Sequence, residues 1–200
     1  MKANRIIIAL VMLMAGMSSC QDWFDVSPKA DVKAEDMFEA ESGFRDILTG
    51  VYGLMIHENL YGRQLTFGYT DVLAQYYAIP DETHEFAQLA KYQYKDVNIS
   101  PKIDEMWLEL YFCIANCNIL LERLEEVGPD FFEDERTYYI LHGEARALRA
   151  FFHFDLLRLF APSYKADPGY TAIPYITKYS NKVSPQKTVS EVIDSVIVDL

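Results

Sequence analysis

Two long stretches of helical hydrophobic spacing meet at Gly128-Pro129, and no other feature restricts the fold of this chain as strongly. On the N-terminal side, Trp107, Leu110, Ile114, Cys117, Leu121 and Leu124 alternate steps of three and four, which puts them on one helical face. Ser100 suits an N-cap, Pro101 suits the first helical position, and Asp104 and Glu105 would complement the positive helix end. On the other side, Leu141, Ala145, Leu148, Phe152, Asp155/Leu156 and Leu159 mark the buried stripe of a helix from about Asp130 to Ala161, stopped by Pro162. A turn of two or three residues between such helices forces them to lie antiparallel, each roughly 40 Å long at 1.5 Å per residue.

The remaining pattern is helical too. Phe44, Leu48, Val51 and Met55 predict a first helix over about Ala40 to His57. Leu65, Tyr69, Val72 and Tyr76 predict a second over about Gly62 to Ala78, ended by Ile79-Pro80. Pro162, Pro168, Pro174 and Pro185 make the stretch between the first and last of them an extended crossing segment. Thr188 and Glu191 form a capping box that opens a last helix with the stripe Val189, Val192, Val196 and Leu200. The fold class is therefore all-α in the main. Cys113 and Cys117 stand four apart, fit no C-x-x-C site and read as small core residues.

The N-terminus reads as an address. Lys2 and Arg5 precede an apolar run from Ile6 to Met17, too short to span a bilayer and suited to a signal peptide. Gly16-Met17-Ser18-Ser19-Cys20 resembles a bacterial lipobox, with Met17 where Leu is more usual. The resemblance implies cleavage before Cys20 and acylation of its sulfur, a firm anchor at ~0.8 kcal/mol per buried CH₂. The expected organisation is a lipoprotein signal over 1–19, a lipidated Cys20 and Pro28-containing tether over 20–33, and a helical domain over 34–200.

Thirty acidic against 18 basic residues give a net charge of −12, and no basic block exists to neutralise phosphates, which argues against nucleic acid. No G-x-S-x-G elbow, P-loop or G-x-G-x-x-G is present, so no catalytic residue and no cofactor is assigned. His84-Glu85-Phe86-Ala87-Gln88 begins like a zinc-protease motif, but Gln88 stands where the second imidazole must be, so no metal is assigned, and Asp81-Glu82-Thr83-His84-Glu85 reads as a solvated loop. Glu122, Glu125 and Glu126 fall on a polar helix face. His142, Arg146, Arg149 and His153 form a stripe that could grip an anion, and more commonly pairs with acids of a neighbouring helix. The stretch from Tyr76 to Asn98 interleaves Tyr76, Tyr77, Phe86, Tyr92 and Tyr94 with Asp81, Glu82, Gln88, Gln93 and Asn98. Sugars present apolar C–H faces to aromatic rings and hydroxyl edges to amides and carboxylates, so Tyr76, Tyr77, Tyr92, Tyr94 and Asn98 are the candidate ligand-binding residues.

Several strings, in order along the chain, resemble the RagB/SusD family of outer-membrane lipoproteins of Bacteroidota. Cys20-Gln21-Asp22-Trp23-Phe24-Asp25-Val26-Ser27-Pro28 is similar to that family's mature start, and Thr49-Gly50-Val51-Tyr52 to the end of its first helix. Asn116-Cys117-Asn118-Ile119-Leu120, then Gly143-Glu144-Ala145-Arg146-Ala147-Leu148-Arg149-Ala150, then Ile173-Pro174-Tyr175 and Thr188-Val189-Ser190-Glu191-Val192 follow. Ala161 stands where the family often has Gly, and Gln186-Lys187 where it often has Arg. The resemblance implies tetratricopeptide-like helical hairpins with long loops, with 34–200 the N-terminal portion of a longer protein. It implies a non-enzymatic lipoprotein, carried outside the cell on the outer membrane through Cys20, that captures glycans or other nutrients for a SusC-like TonB-dependent transporter. Glu144, Arg146 and Arg149 would then fix helix packing. A membrane-anchored helical scaffold that binds protein partners is the alternative.

Overall fold

A computed structural model describes residues 37–200. The signal segment over 1–19, the Cys20 anchor and the whole tether through residue 33 lie outside the described residues. The elements are α1 (Glu41–Met55), α2 (Tyr69–Leu73), α3 (Ala87–Ala90), α4 (Ser100–Val127), a 3-10 turn (Pro129–Phe131), α5 (Glu135–Phe160), β1 (Thr171–Pro174), β2 (Gln186–Thr188) and α6 (Val189–Asp199).

The α4–α5 hairpin forms as its stripes predict. Trp107 meets Phe160 edge-on at 4.8 Å, Asn118 accepts from Arg149 at 2.9 Å, and His142 approaches Glu125 at 4.0 Å. Residue numbers rise on one helix as they fall on the other, so the pair is antiparallel. Leu110, Cys113, Ile114, Cys117, Leu120 and Leu124 close against Ala145, Ala150, Phe152 and Leu156, all but fully buried. Each large side chain hidden in this way stabilises the fold by about 1.5–3 kcal/mol. Cys113 and Cys117 are free and buried, and burial pushes both thiols up to about 12.

Both helices start differently from their sequence signals. Ser100 lies inside α4 and caps nothing, because Asp96 does that work. The Asp96 side chain accepts from the Asn98 N–H at 2.8 Å and its carbonyl accepts from the Ser100 N–H at 2.9 Å, so a turn runs straight into the helix. The connection to α5 is longer than two or three residues and runs from Gly128 to Asp134. Gly128 takes a positive φ of 73°, and Phe131 and Phe132 turn inward onto Phe44, at 5.6 and 5.3 Å between ring centres. Asp134 then caps α5 by accepting from the Arg136 N–H at 3.0 Å.

Helix α1 lies beside this pair and parallel to α5. Arg45 donates to Thr137 at 3.0 Å, Tyr52 donates to Glu144, and beyond the helix Tyr61 donates to the buried Asp155 at 2.7 Å. The expected second helix over Gly62 to Ala78 is the main departure. Only Tyr69–Leu73 is helical, and residues 57–68 are a chain of tight turns, with the Gly62 N–H bonded to the His57 carbonyl at 3.1 Å and the Gly68 N–H to Arg63 at 2.9 Å. A Cβ on Gly62 would strike the Ile56 and His57 carbonyl oxygens, and one on Gly68 would strike Gln64. Leu65, Tyr69 and Val72 are buried as the helical reading requires, but Leu65 lies in the turns and only Tyr69 and Val72 in the short helix, and the turns need glycine at 62 and 68.

The proline-rich crossing segment contains a strand that the sequence did not announce. β1 pairs antiparallel with β2, Thr171 opposite Thr188 and Pro174 opposite Gln186. The capping box of α6 is formed: Thr188 Oγ1 accepts from the Glu191 N–H at 3.3 Å, and Glu191 accepts from the Thr188 N–H at 2.8 Å. Val189, Val192 and Val196 are buried, but Leu200 is exposed and Asp199 goes inward instead.

Candidate functional site

Asp199 turns inward because the basic stripe of α5 receives it. Its carboxylate takes a bidentate pair from Arg149 at 2.6 and 2.7 Å, a bond from the Tyr175 hydroxyl at 2.6 Å and a longer one from Arg146 at 3.4 Å. Arg149 also donates to Asn118. Burial opposes charge on Asp199, but the hydrogen bonds from Arg149 and Tyr175 outweigh it and hold the carboxyl below its ordinary range. His153 sits beside this node with its ring stacked 3.9 Å from Tyr175. Its Nε2 accepts from the Ile176 N–H at 3.0 Å, so the ring proton is on Nδ1, which donates to the Arg149 carbonyl at 2.8 Å. Burial lowers its pKa to about 4. The stripe therefore pairs internally, and its two arginines are committed to Asp199. It fastens α6 and the strand ribbon to the hairpin.

The tyrosine-rich loop is built differently. Gln75 and Tyr92 are the non-glycine residues with positive φ, at 60° and 58°. They brace each other's segments: Gln75 Nε2 donates to the Ala90 carbonyl at 3.0 Å, and the Tyr92 hydroxyl donates to the Leu73 carbonyl at 3.1 Å. Tyr92 and Tyr94 lie 6.3 Å apart between ring centres. Tyr76 is 77 % exposed.

Three of the five candidate residues line three different concavities, and Tyr76 and Tyr92 line none of these three. Tyr94 lines an apolar groove of about 450 Å³ with Tyr69, Met106, Phe160 and Tyr170. Asn98 lies on a polar shelf of about 550 Å³ with Glu82, His84, Gln88 and Asp96. Tyr77 walls a smaller apolar hollow of about 310 Å³ with Pro80, His84 and the buried Phe86. The shelf and the hollow share His84, which joins a surface for ring faces to one for hydroxyl edges. Tyr69, Phe160 and Tyr170 escaped the sequence reading because they come from α2, the end of α5 and the crossing segment, and no local spacing links them. Tyr69 is only 2 % exposed and its buried hydroxyl has no hydrogen-bond partner; burial raises its pKa to about 12.

The run Asp81 to Glu85 is exposed throughout, as a solvated loop should be, and Phe86 and Ala87 turn inward after it. Glu85 pairs with both Arg63 and Lys102, and the Arg63 hydrogen bond leads in lowering its pKa. His84 Nδ1 accepts from the Phe86 N–H at 3.1 Å. Among the described residues no group of three or more His, Cys, Asp or Glu side chains could hold a metal, and no helix is long and apolar enough to cross a membrane.

Comparison with known proteins gives a consistent result. A SusD-like family model, described as starch-binding and associating with the outer membrane, matches residues 22–200. Two curated SusD-like proteins of Formosa agariphila are 26 % and 24 % identical to this chain, over 79 % and 98 % of its length. The matches cover 31 % and 36 % of those relatives, so the chain spans about a third of their length. Among solved structures, a SusD superfamily protein of Bacteroides thetaiotaomicron aligns with TM-score 0.64 at 21 % identity, covering 80 % of this chain and 36 % of that one. A SusD-like carbohydrate binding protein of Bacteroides vulgatus aligns with TM-score 0.61 at 20 % identity, covering 80 % and 34 %. At these identities the structures establish a shared fold.

Proposed function

Because the chain belongs to the SusD-like family, we propose that it is the N-terminal helical part, over residues 34–200, of a surface lipoprotein that captures glycans for import. The observation that carries this reading is the shelf and hollow joined at His84. The exposed Tyr77 ring lines the hollow, and the amide and carboxylate groups of Gln88, Asp96 and Asn98 line the shelf on the other side of His84, the two kinds of surface that a pyranose needs. The family description is of binding, which supports capture and release without bond breaking. Cys20 carries the acyl anchor, residues 21–33 form the tether, and the captured glycan passes to a SusC-like TonB-dependent transporter in the outer membrane. The family description supports the membrane location, and the lipobox supports the anchor.

Affinity electrophoresis through polysaccharide gels tests the binding site. Retention of the parent protein together with faster migration of Tyr77→Ala and Asn98→Ala is expected; unchanged mobility of both variants removes the shelf and hollow from the site. For the anchor, Cys20→Ala should appear in the soluble periplasmic fraction, and its retention in membranes would refute lipidation. Co-purification of a TonB-dependent transporter from solubilised outer membranes tests the partner.

A further inference from the structure

Helix α6 carries more apolar surface than the described residues cover. Val189, Val192 and Val196 are buried, and Asp199 turns inward with them. A second row, Ile193, Ile197 and Leu200, runs beside them in steps of four and three, so it forms a ridge along one flank. Its cover runs out along the helix: Ile193 is partly buried, Ile197 is 64 % exposed and Leu200 81 %. Glu191 and Asp194, off this ridge, are exposed polar positions. A helix apolar over such a width is one that packs against two neighbours. The first is α5, which holds Asp199 through Arg149 and the Val198 carbonyl through Arg146.

We propose that this ridge is the seam between the described residues and the chain that follows Leu200, and that a helix of that following chain lies antiparallel along it. The occupant follows from size and shape. The chain spans about a third of the curated relatives it matches, so most of such a relative has no counterpart here. A row at i, i+4 and i+7 is the surface that fits the groove of another helix. A short link after α6 would bring that helix back antiparallel, as the link from Gly128 to Asp134 does for α4 and α5. An anionic lipid surface is a poor occupant, because Glu191, Asp194 and a net charge of −12 would be repelled by it. The Asp199 node thereby gains a second role: by pinning α6 to α5 it sets where the following chain can dock. The seam rests on the reading of this chain as part of a longer lipoprotein and is independent of its ligand.

Cysteine labelling of the full-length protein tests the seam, with Ile197→Cys and the control Ile56→Cys, whose parent side chain is 75 % exposed. Cys113 and Cys117 are fully buried, so they add little background. Residue 197 should react with a maleimide at least about tenfold more slowly than residue 56, at every protein concentration and without the transporter. Ile197→Gln, which keeps the helix propensity, should lower the urea midpoint of the full-length protein, and Ile56→Gln should leave it unchanged. Equal labelling rates at the two positions overturn the proposal. So does protection that fades on dilution, which assigns the ridge to a second copy, or protection that needs the transporter, which assigns it to that partner. An unchanged midpoint for Ile197→Gln overturns it as well. A native polypeptide that ends at Leu200 by mass spectrometry overturns both the seam and the reading beneath it, whereas rapid labelling in a longer polypeptide overturns the seam alone.

Discussion

The α4–α5 hairpin and the loop over residues 57–98 belong to one molecule but are held together by different forces. The hairpin is fastened by buried apolar stripes and by a charge node that water does not reach. The loop joins the same apolar core through Leu60, Leu65, Tyr69, Val72, Phe86 and Leu89, and adds exposed pairs, Arg63 to Glu58 and Glu85, Lys102 to Glu85, and Lys91 to Glu82, each worth no more than about 1 kcal/mol. It also stores strain in Gln75 and Tyr92, at about 1 kcal/mol or more apiece. The hairpin carries the longer apolar stripes, and the loop carries the exposed tyrosines proposed for the ligand.

The widest expected separation between the two comes from Arg149→Ala. It leaves Asp199 buried with Tyr175 and a distant Arg146, and should lower unfolding stability by about 3–5 kcal/mol in urea titration while folded protein still binds glycan. A loss under about 1 kcal/mol would mean that the node does not fasten α6. His153 gives the next effect, and it depends on pH. Its folded pKa of about 4 lies below the unfolded value near 6.5, so the unfolded chain binds the extra proton between these limits. Stability should therefore fall by about 3 kcal/mol as pH drops from 6.5 to 4, and His153→Gln should remove most of that slope. Asp199 acts lower: its depressed pKa adds stability above the unfolded carboxylate range, and that contribution disappears as pH falls through the folded value.

Two glycines sharpen the contrast on a smaller scale. Gly62→Ala in the loop drives a Cβ into backbone carbonyls and should cost about 1–3 kcal/mol by thermal unfolding. Gly143→Ala on α5, where an added Cβ meets nothing within 4 Å, should stabilise by about 0.5–1 kcal/mol. Equal signs for the two would erase the distinction between close-packed turns and open helix surface.

The regions also differed in how far the sequence revealed them. Steps of three and four among Leu110, Ile114, Cys117 and Leu121 report a helix directly, and the Thr188–Glu191 box marks the start of α6, because both signals lie within a few residues. The loop was misjudged through the same signal: Leu65, Tyr69 and Val72 keep helical spacing, yet Gly62 and Gly68 permit turns that bury the same residues. The ligand candidates Tyr76, Tyr77, Tyr92, Tyr94 and Asn98 were visible as a composition, but the placement of Tyr77, Tyr94 and Asn98 in three separate concavities was not. That division depends on Phe160 and Tyr170, which arrive from distant segments. The Arg149–Asp199 pair lay equally out of reach, since an acidic residue near a helix end reads as solvated until its partner is known.

The Asp199 node also has a place in time. It joins Asp199 to residues 24 to 53 positions away, whereas the hairpin closes over the short link from Gly128 to Asp134. Short closures form early and distant ones late, so α4 and α5 zip together first and α6 docks afterwards. Contacts made after the barrier govern how fast the native state is left rather than how fast it is reached. The node is thus a latch on residence: weakening it shortens the lifetime of the folded molecule and leaves its rate of assembly nearly untouched.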